Sequence, residues 1–242
     1  MTAAYVYGLA RTPEAGEGVE LPTGVGGQPV RRLSAGGLDA LVSTIEAEVG
    51  LDRDDVAAHG RVLDAALAAG TVAPMNFATV LDDDDAVRRV LGATHEDITA
   101  LLARLDGHVE VSVRGYLREE AAIEAAVGDD PGVRRLQGRQ RSLQDRIRLG
   151  EAVARAVEAR ATAAGSEIVD TLATASTGVV VGPLRSEQMA LNASFLVSGD
   201  RMAAFDRRLT ALGGRFATWL ELHVVSPLPP YSFSDLVLTG AA

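Results

Sequence analysis

Apolar and polar positions alternate, or step by three and four, along almost the whole chain, and the change of period marks the elements. From His108 to Leu117, Val109, Val111 and Val113 face one way and Glu110, Ser112 and Arg114 the other, which predicts a half-buried strand. From about 119 to 164 the period is helical, and DDPG at residues 129–132 splits a short helix from a long one. In the long helix Leu143, Ile147, Gly150, Ala154, Val157 and Ala161 mark one face. Strands follow at Gly178–Val181 and Leu191–Val197, then a helix over 200–212, then a last strand at Phe216–Val225. Strand, helix, strand, strand, helix, strand is the βαββαβ order of a ferredoxin-like sandwich, with sheet order 4-1-3-2.

The first part is less regular. Ala4–Leu9 and Ala40–Ile45 read as strands, and PTGVGGQP (22–29) as a hairpin turn between two short strands. Asp52–Ala69 is an amphipathic helix with Val56, His59, Leu63 and Ala66 on its apolar side. TVAPM (71–75) is a short strand, and one or two helices run from Asp82 to Leu105. The fold class expected is therefore α+β in two domains: an acidic α+β domain at 1–106, and a ferredoxin-like domain with a long helix and a Pro-rich C-terminal arm at 107–242.

Charge sharpens this division. Residues 1–106 hold 8 Arg against 17 acidic residues, a net of −9; residues 107–242 hold 15 Arg against 16, a net of −1. Nucleic acid is not an expected partner of the acidic part. All 23 basic residues are Arg, which excludes P-loop, Schiff-base and pyridoxal-phosphate lysines. There is no Cys, so thiolate ligands and nucleophiles are excluded as well. No apolar run reaches the length of a membrane span, and the N-terminus lacks the pattern of a secretory signal, so the expectation is a cytoplasmic protein.

The remaining motifs give little chemistry. The Gly-rich loop has no trailing Lys and opens no helix, against a phosphate cradle. Asp82–Asp85 lacks the spacing of a calcium loop and reads as a helix N-terminus. His59, His95, His108 and His223 are never three or four residues apart, so no helical metal pair exists. His59, on an apolar face, is expected to be structural and to support the Pro74–Phe77 turn. No Gly-x-Ser-x-Gly elbow is present. The run 134–148 carries Arg134, Arg135, Arg139, Arg141, Arg146 and Arg148 against Asp145; it is a solvated surface, or a receiver for an acidic partner or for the protein's own acidic first domain. An enzyme is not expected, and no cofactor or metal is implied.

Pro227, Pro229 and Pro230 end the last strand in an extended arm. With Tyr231 and Phe233 two apart, extended geometry places both rings on one side. Such an arm either packs on its own protein or docks on another.

Five segments in order, AYVYGL (4–9), GTVAPMNFATVL (70–81), DRIRLGEAVARAV (145–157), LNASFLV (191–197) and PPYSF (229–233), resemble the gas vesicle protein F/L family, and RIRLGE looks more like the F branch. The resemblance implies an accessory protein of gas vesicle assembly, without enzymatic activity, that binds gas vesicle shell protein A and other accessory proteins. On this basis Met75, Asn76, Phe77, Tyr231 and Phe233 are candidate partner contacts, and His59, Pro74, Pro229 and Pro230 are structural. The family pattern has Arg where Asn76 stands, and Gly where Ala78 and Ser226 stand. A ferredoxin-like small-molecule-binding or enzymatic domain is the alternative.

Overall fold

A computed structural model describes residues 2–13, 20–46, 50–137 and 142–235. Its chain contacts group residues 1–110 with 227–242 in one unit, and 111–226 in a second.

The first unit is built around β1 (Thr2–Arg11), a nearly continuous apolar strand buried along its whole interior. The strand order is β2-β3-β1-β4, from β2 (Arg31–Ala35), β3 (Leu38–Glu46) and β4 (Val72–Pro74), while β5 (Val80–Leu81) also pairs with β1. The β1, β2 and β3 pairings are antiparallel. The tight hairpin is β2–β3, closed by Gly36 and Gly37 at φ 60° and 83°, a double left-handed turn that glycine adopts without strain.

The Gly-rich loop is not that hairpin, contrary to the expectation. Residues 20–24 are not strand, and 14–19 lie outside the described residues. Val25–Gly27 forms a single 3-10 turn with Val25 fully buried. The reason is a close approach: a Cβ on Gly24 would lie 2.0 Å from the Tyr7 hydroxyl. The loop caps a core residue instead of joining two strands.

Helix α1 (Arg53–Ala69) starts in a capping box between Asp52 and Asp55, and buries Ala58, His59, Val62, Leu63 and Ala66. Val56, expected on the buried side, is 51% exposed. The stripe is centred nearer Ala58 and Val62, which puts Val56 at its margin. The acidic run behaves as a helix start: Asp83 accepts the Ala86 N–H at 2.6 Å and caps α2 (Asp84–Ala93), which leads into α3 (His95–Leu105).

The second unit contains most of β6 (His108–Leu117), then α4 (Glu119–Asp129), α5 (Pro131–Gln137), α6 (Leu143–Ala173), β7 (Gly178–Val181), β8 (Met189–Ser198), α7 (Met202–Phe216) and β9 (Leu220–Leu228). Its sheet order is β7-β8-β6-β9, which is the ferredoxin-like 4-1-3-2 order read from the other edge. Val111, Val113, Phe195, Phe205, Ile168 and Trp219 lie in one core.

Three local expectations are corrected here. The last strand begins at Leu220, because Phe216 extends the α7 stripe Phe205, Leu209, Leu212 by one more turn and is buried. Glu110 and Ser112 of β6 are buried at 3% and 8% exposure: β6 is an interior strand of its sheet, and Ser232 of the arm lies on the Glu110 carboxylate. On α6 only Ala161 of the expected face is buried; the buried positions are Ala161, Ala164, Gly165, Ile168 and Leu172, toward the C-terminal end. Leu143 and Ile147 are 66% and 53% exposed. Arg139 and Arg141 of the basic run lie outside the described residues.

Candidate partner-binding site

The chemistry-bearing side chains of the first unit gather where β1, α1 and the turn after β4 meet. Tyr5 and Tyr7, two apart on β1, point the same way, with ring centroids 4.8 Å apart. Both are fully buried, so each hydroxyl needs partners. The Tyr7 hydroxyl accepts the Val25 N–H at 2.7 Å and donates to Ser43 Oγ at 2.9 Å, and Ser43 Oγ donates to the Pro29 carbonyl. The Tyr5 hydroxyl accepts the Ala78 N–H at 3.1 Å and lies 2.9 Å from His59 Nδ1. Burial pushes the Tyr5 hydroxyl up to about 12, against the opposing Ala78 N–H, and raises that of Tyr7.

His59 stands edge-on to Tyr5 at 5.7 Å and to Phe77 at 5.8 Å. Burial holds its pKa below the ordinary value, and the nearby Met75 backbone opposes this. That backbone does not reach hydrogen-bond geometry: Nε2 is buried with no bonding partner among the described residues.

The turn itself is strained. Ala78 is the non-glycine residue at positive φ, 66°, among the described residues. Its N–H is the group that Tyr5 holds. The turn closes through the Thr79 hydroxyl, which donates to the Asn76 carbonyl at 2.7 Å.

The C-terminal arm packs against this same unit. Pro229 and Pro230 are buried, and Tyr231–Phe233 forms a 3-10 turn, not an extended segment. The two rings therefore do not share one side: Phe233 is 8% exposed and Tyr231 38%. Pro227 lies at the end of β9, an outer strand, where a missing N–H is tolerated. Three polar ties hold the arm. Glu110 accepts the Ser232 N–H and hydroxyl, each at 2.8 Å, one on each carboxylate oxygen. Arg104 donates to the Phe233 carbonyl at 2.7 Å. The Ser234 hydroxyl donates to the Pro74 carbonyl at 2.8 Å.

These ties bring the two sequence signatures together. Pro74, Met75 and Phe233 are buried, which leaves Asn76, Phe77 and Tyr231 open at the surface. Tyr231 is only partly buried, yet burial is the first cause that pushes its hydroxyl up to about 12, ahead of the acidic Asp64 and Glu110. The Tyr5–Tyr7 pair, Arg104 and Glu110 were not singled out from sequence. The spacing of Tyr5 and Tyr7 in a buried strand was a usable signal; nothing local to Arg104 or Glu110 points to an arm more than 120 residues away.

Among the described residues no three His, Asp or Glu side chains are placed to hold a metal. Grooves of the second unit run along α6 and are lined mainly by Ala126, Ala156 and Ala159 with Asp130 and Arg160, without a convergent polar set. No described helix is long and apolar enough to cross a membrane.

Residues 3–235 match the family described as gas vesicle synthesis protein GvpL/GvpF. The chain belongs to this family. Gas vesicle protein F of Streptomyces sp. (strain CB03234) is 37% identical over 243 residues, covering 96% of this chain and 100% of that protein. Gas vesicle protein L of the same organism is 32% identical over 260 residues, covering 96% and 92%. The fold is that of the crystal structure of GvpF from Anabaena sp. PCC7120, with a TM-score of 0.84 at 22% identity, over 98% of this chain and 100% of that one. As a member of the GvpL/GvpF family the protein has an accessory role in gas vesicles, and its two-domain α+β architecture is that of the family's solved members.

Proposed function

We propose that the protein is a non-enzymatic assembly factor that acts in the cytoplasm and at the growing gas vesicle, binding the small hydrophobic shell protein and other accessory proteins. The main contact for the shell protein is assigned to the acidic first part, residues 1–106, completed by the arm. One observation carries this reading: Phe77 and Tyr231 are 36% and 38% exposed on a unit whose supporting Tyr5 and Tyr7 are fully buried and hydrogen-bonded. Aromatic rings on a rigid base contact a partner at low entropic cost. The surrounding net of −9 keeps complexes apart by repulsion while an apolar subunit is held. His59, Pro74, Pro229 and Pro230 fix this surface rather than touch the partner, and Met75 and Phe233 act from beneath it. Asn76, at the tip of the turn, is the position most open to a partner's polar groups.

The test is co-purification of the full chain with the shell protein from cells that make both. Phe77→Ser and Tyr231→Ser together are expected to cut capture by about tenfold, the effect of losing a contact of about 1.4 kcal/mol, with the melting temperature of the chain retained. Full capture by a folded double variant overturns the assignment of the surface.

A further inference from the structure

Strand β7 is an outer strand of the second sheet and neighbours β8 alone. Its register pairs Gly178 with Leu196, Val179 with Phe195, Val180 with Ser194 and Val181 with Ala193. The Gly182 N–H donates to the Asn192 carbonyl at 2.8 Å, which sets the phase of the ladder. Hydrogen-bonded positions alternate along an antiparallel strand, so Gly178, Val180 and Gly182 face β8 with their backbone groups. Val179 and Val181 turn theirs to the open edge, beyond which no described strand lies.

Natural outer strands are blunted by charges, especially Lys, or by Pro within the strand. This one is not. Residues 171–184 carry no charge, in a chain with a net of −10. Val180, Val181 and Leu184 are 40%, 63% and 56% exposed. The edge thus combines unused backbone groups, exposed apolar side chains and local freedom from repulsion.

We propose that β7 is a self-association edge, where a second copy of this chain pairs antiparallel with it about a two-fold axis at Val180. In that register Val179 of each copy faces Val181 of the other, and each such pair exchanges two hydrogen bonds. All the outward N–H and C=O groups of Val179 and Val181 are then used in both copies. Val180 faces its own counterpart across the axis. A second copy is the occupant because a two-fold register uses the outward backbone groups of both edges at once, and the uncharged 171–184 segments of the two copies meet without repulsion. The joined sheets form one continuous sheet through the two copies. The contact is small, below the ~1,000 Å² of a durable interface, so the dimer is weak and depends on concentration.

Sedimentation of the full chain, from micromolar to millimolar protein, tests this. The native chain is expected to pass from monomer to dimer. Val181→Pro removes an outward N–H while leaving the β8 ladder intact, and is expected to weaken the dimer by about tenfold or more. Val180→Lys and Val180→Glu are each expected to be monomeric alone, and to form a mixed dimer when combined, because position 180 meets itself across the axis. Melting curves of the variants establish that each is folded. A native chain that stays monomeric throughout overturns the proposal. So does a dimer that survives Val181→Pro and Val180→Lys, or an open edge that takes up only a strand of another protein.

Discussion

The Ser234 hydroxyl donates to the Pro74 carbonyl at 2.8 Å, across 160 residues of sequence. This bond joins the arm that ends the described chain to the turn that follows β4. Both segments belong to the first unit, although the whole second unit lies between them in sequence. The arm is consequently part of the first unit's fold, and its loss acts on that unit.

Phe233→Ala should lower the stability of the first unit by about 3 kcal/mol, as for other buried aromatic truncations. Ser234→Ala should cost about 1 kcal/mol, the net value of one hydrogen bond. Urea unfolding followed by tyrosine fluorescence reads both. An unchanged midpoint for Phe233→Ala would show that the arm is not anchored where the structure has it.

Ala78→Gly should stabilise the protein. Ala78 holds φ 66°, where its Cβ is unfavourable, and glycine adopts that angle freely. A gain of about 1 kcal/mol is expected, reduced by the greater freedom of glycine in the unfolded chain. Thermal unfolding decides it, and a lowered melting temperature would contradict the strain.

His59 gives the first unit a pH dependence with a definite sign. Burial lowers its pKa in the folded state below the ordinary 6.5, so the unfolded chain takes up the proton first. Its contribution is complete above about pH 6.5 and is lost as the pH falls below that value. His59→Gln should remove this part of the pH dependence. The same variant should also cost about 1 kcal/mol at neutral pH through the bond to Tyr5. Melting temperatures between pH 5 and 8 for the two proteins check the sign; a native chain that gains stability on acidification would refute it.

Gly165→Ala tests the packing of the long helix. In an exposed helix this change would be favourable by about 1 kcal/mol. Here an added Cβ would sit 2.8 Å from the Ala190 carbonyl oxygen of β8, and backbone cannot step aside as a side chain can. Overpacking is expected to win, with a net loss of about 1–3 kcal/mol in the second unit. A stabilised variant would mean that α6 and β8 are farther apart than they stand here.

Period and chemistry in the sequence determined much of this protein. The 2-residue and 3.6-residue patterns gave the strand and helix order of the second sheet, since a local period reports which face of an element meets the core. The acidic run at Asp82–Asp85 announced a helix start, because capping is a local interaction. The ordered motifs identified the family, and the family match covers residues 3–235. Other features were decided only by tertiary structure. Glu110 looked like a solvent-facing residue of an alternating strand, and it is buried where Ser232 of the arm supplies a hydrogen bond to each carboxylate oxygen. The Gly-rich loop looked like a hairpin, and became a cap because Tyr7 needs a donor at that point. Tyr231 and Phe233 looked parallel, and part company because the Pro-rich arm turns in order to reach Arg104 and Pro74. In each case the deciding partner lies far away in the chain, and a local pattern carries no record of contacts that only the folded chain creates.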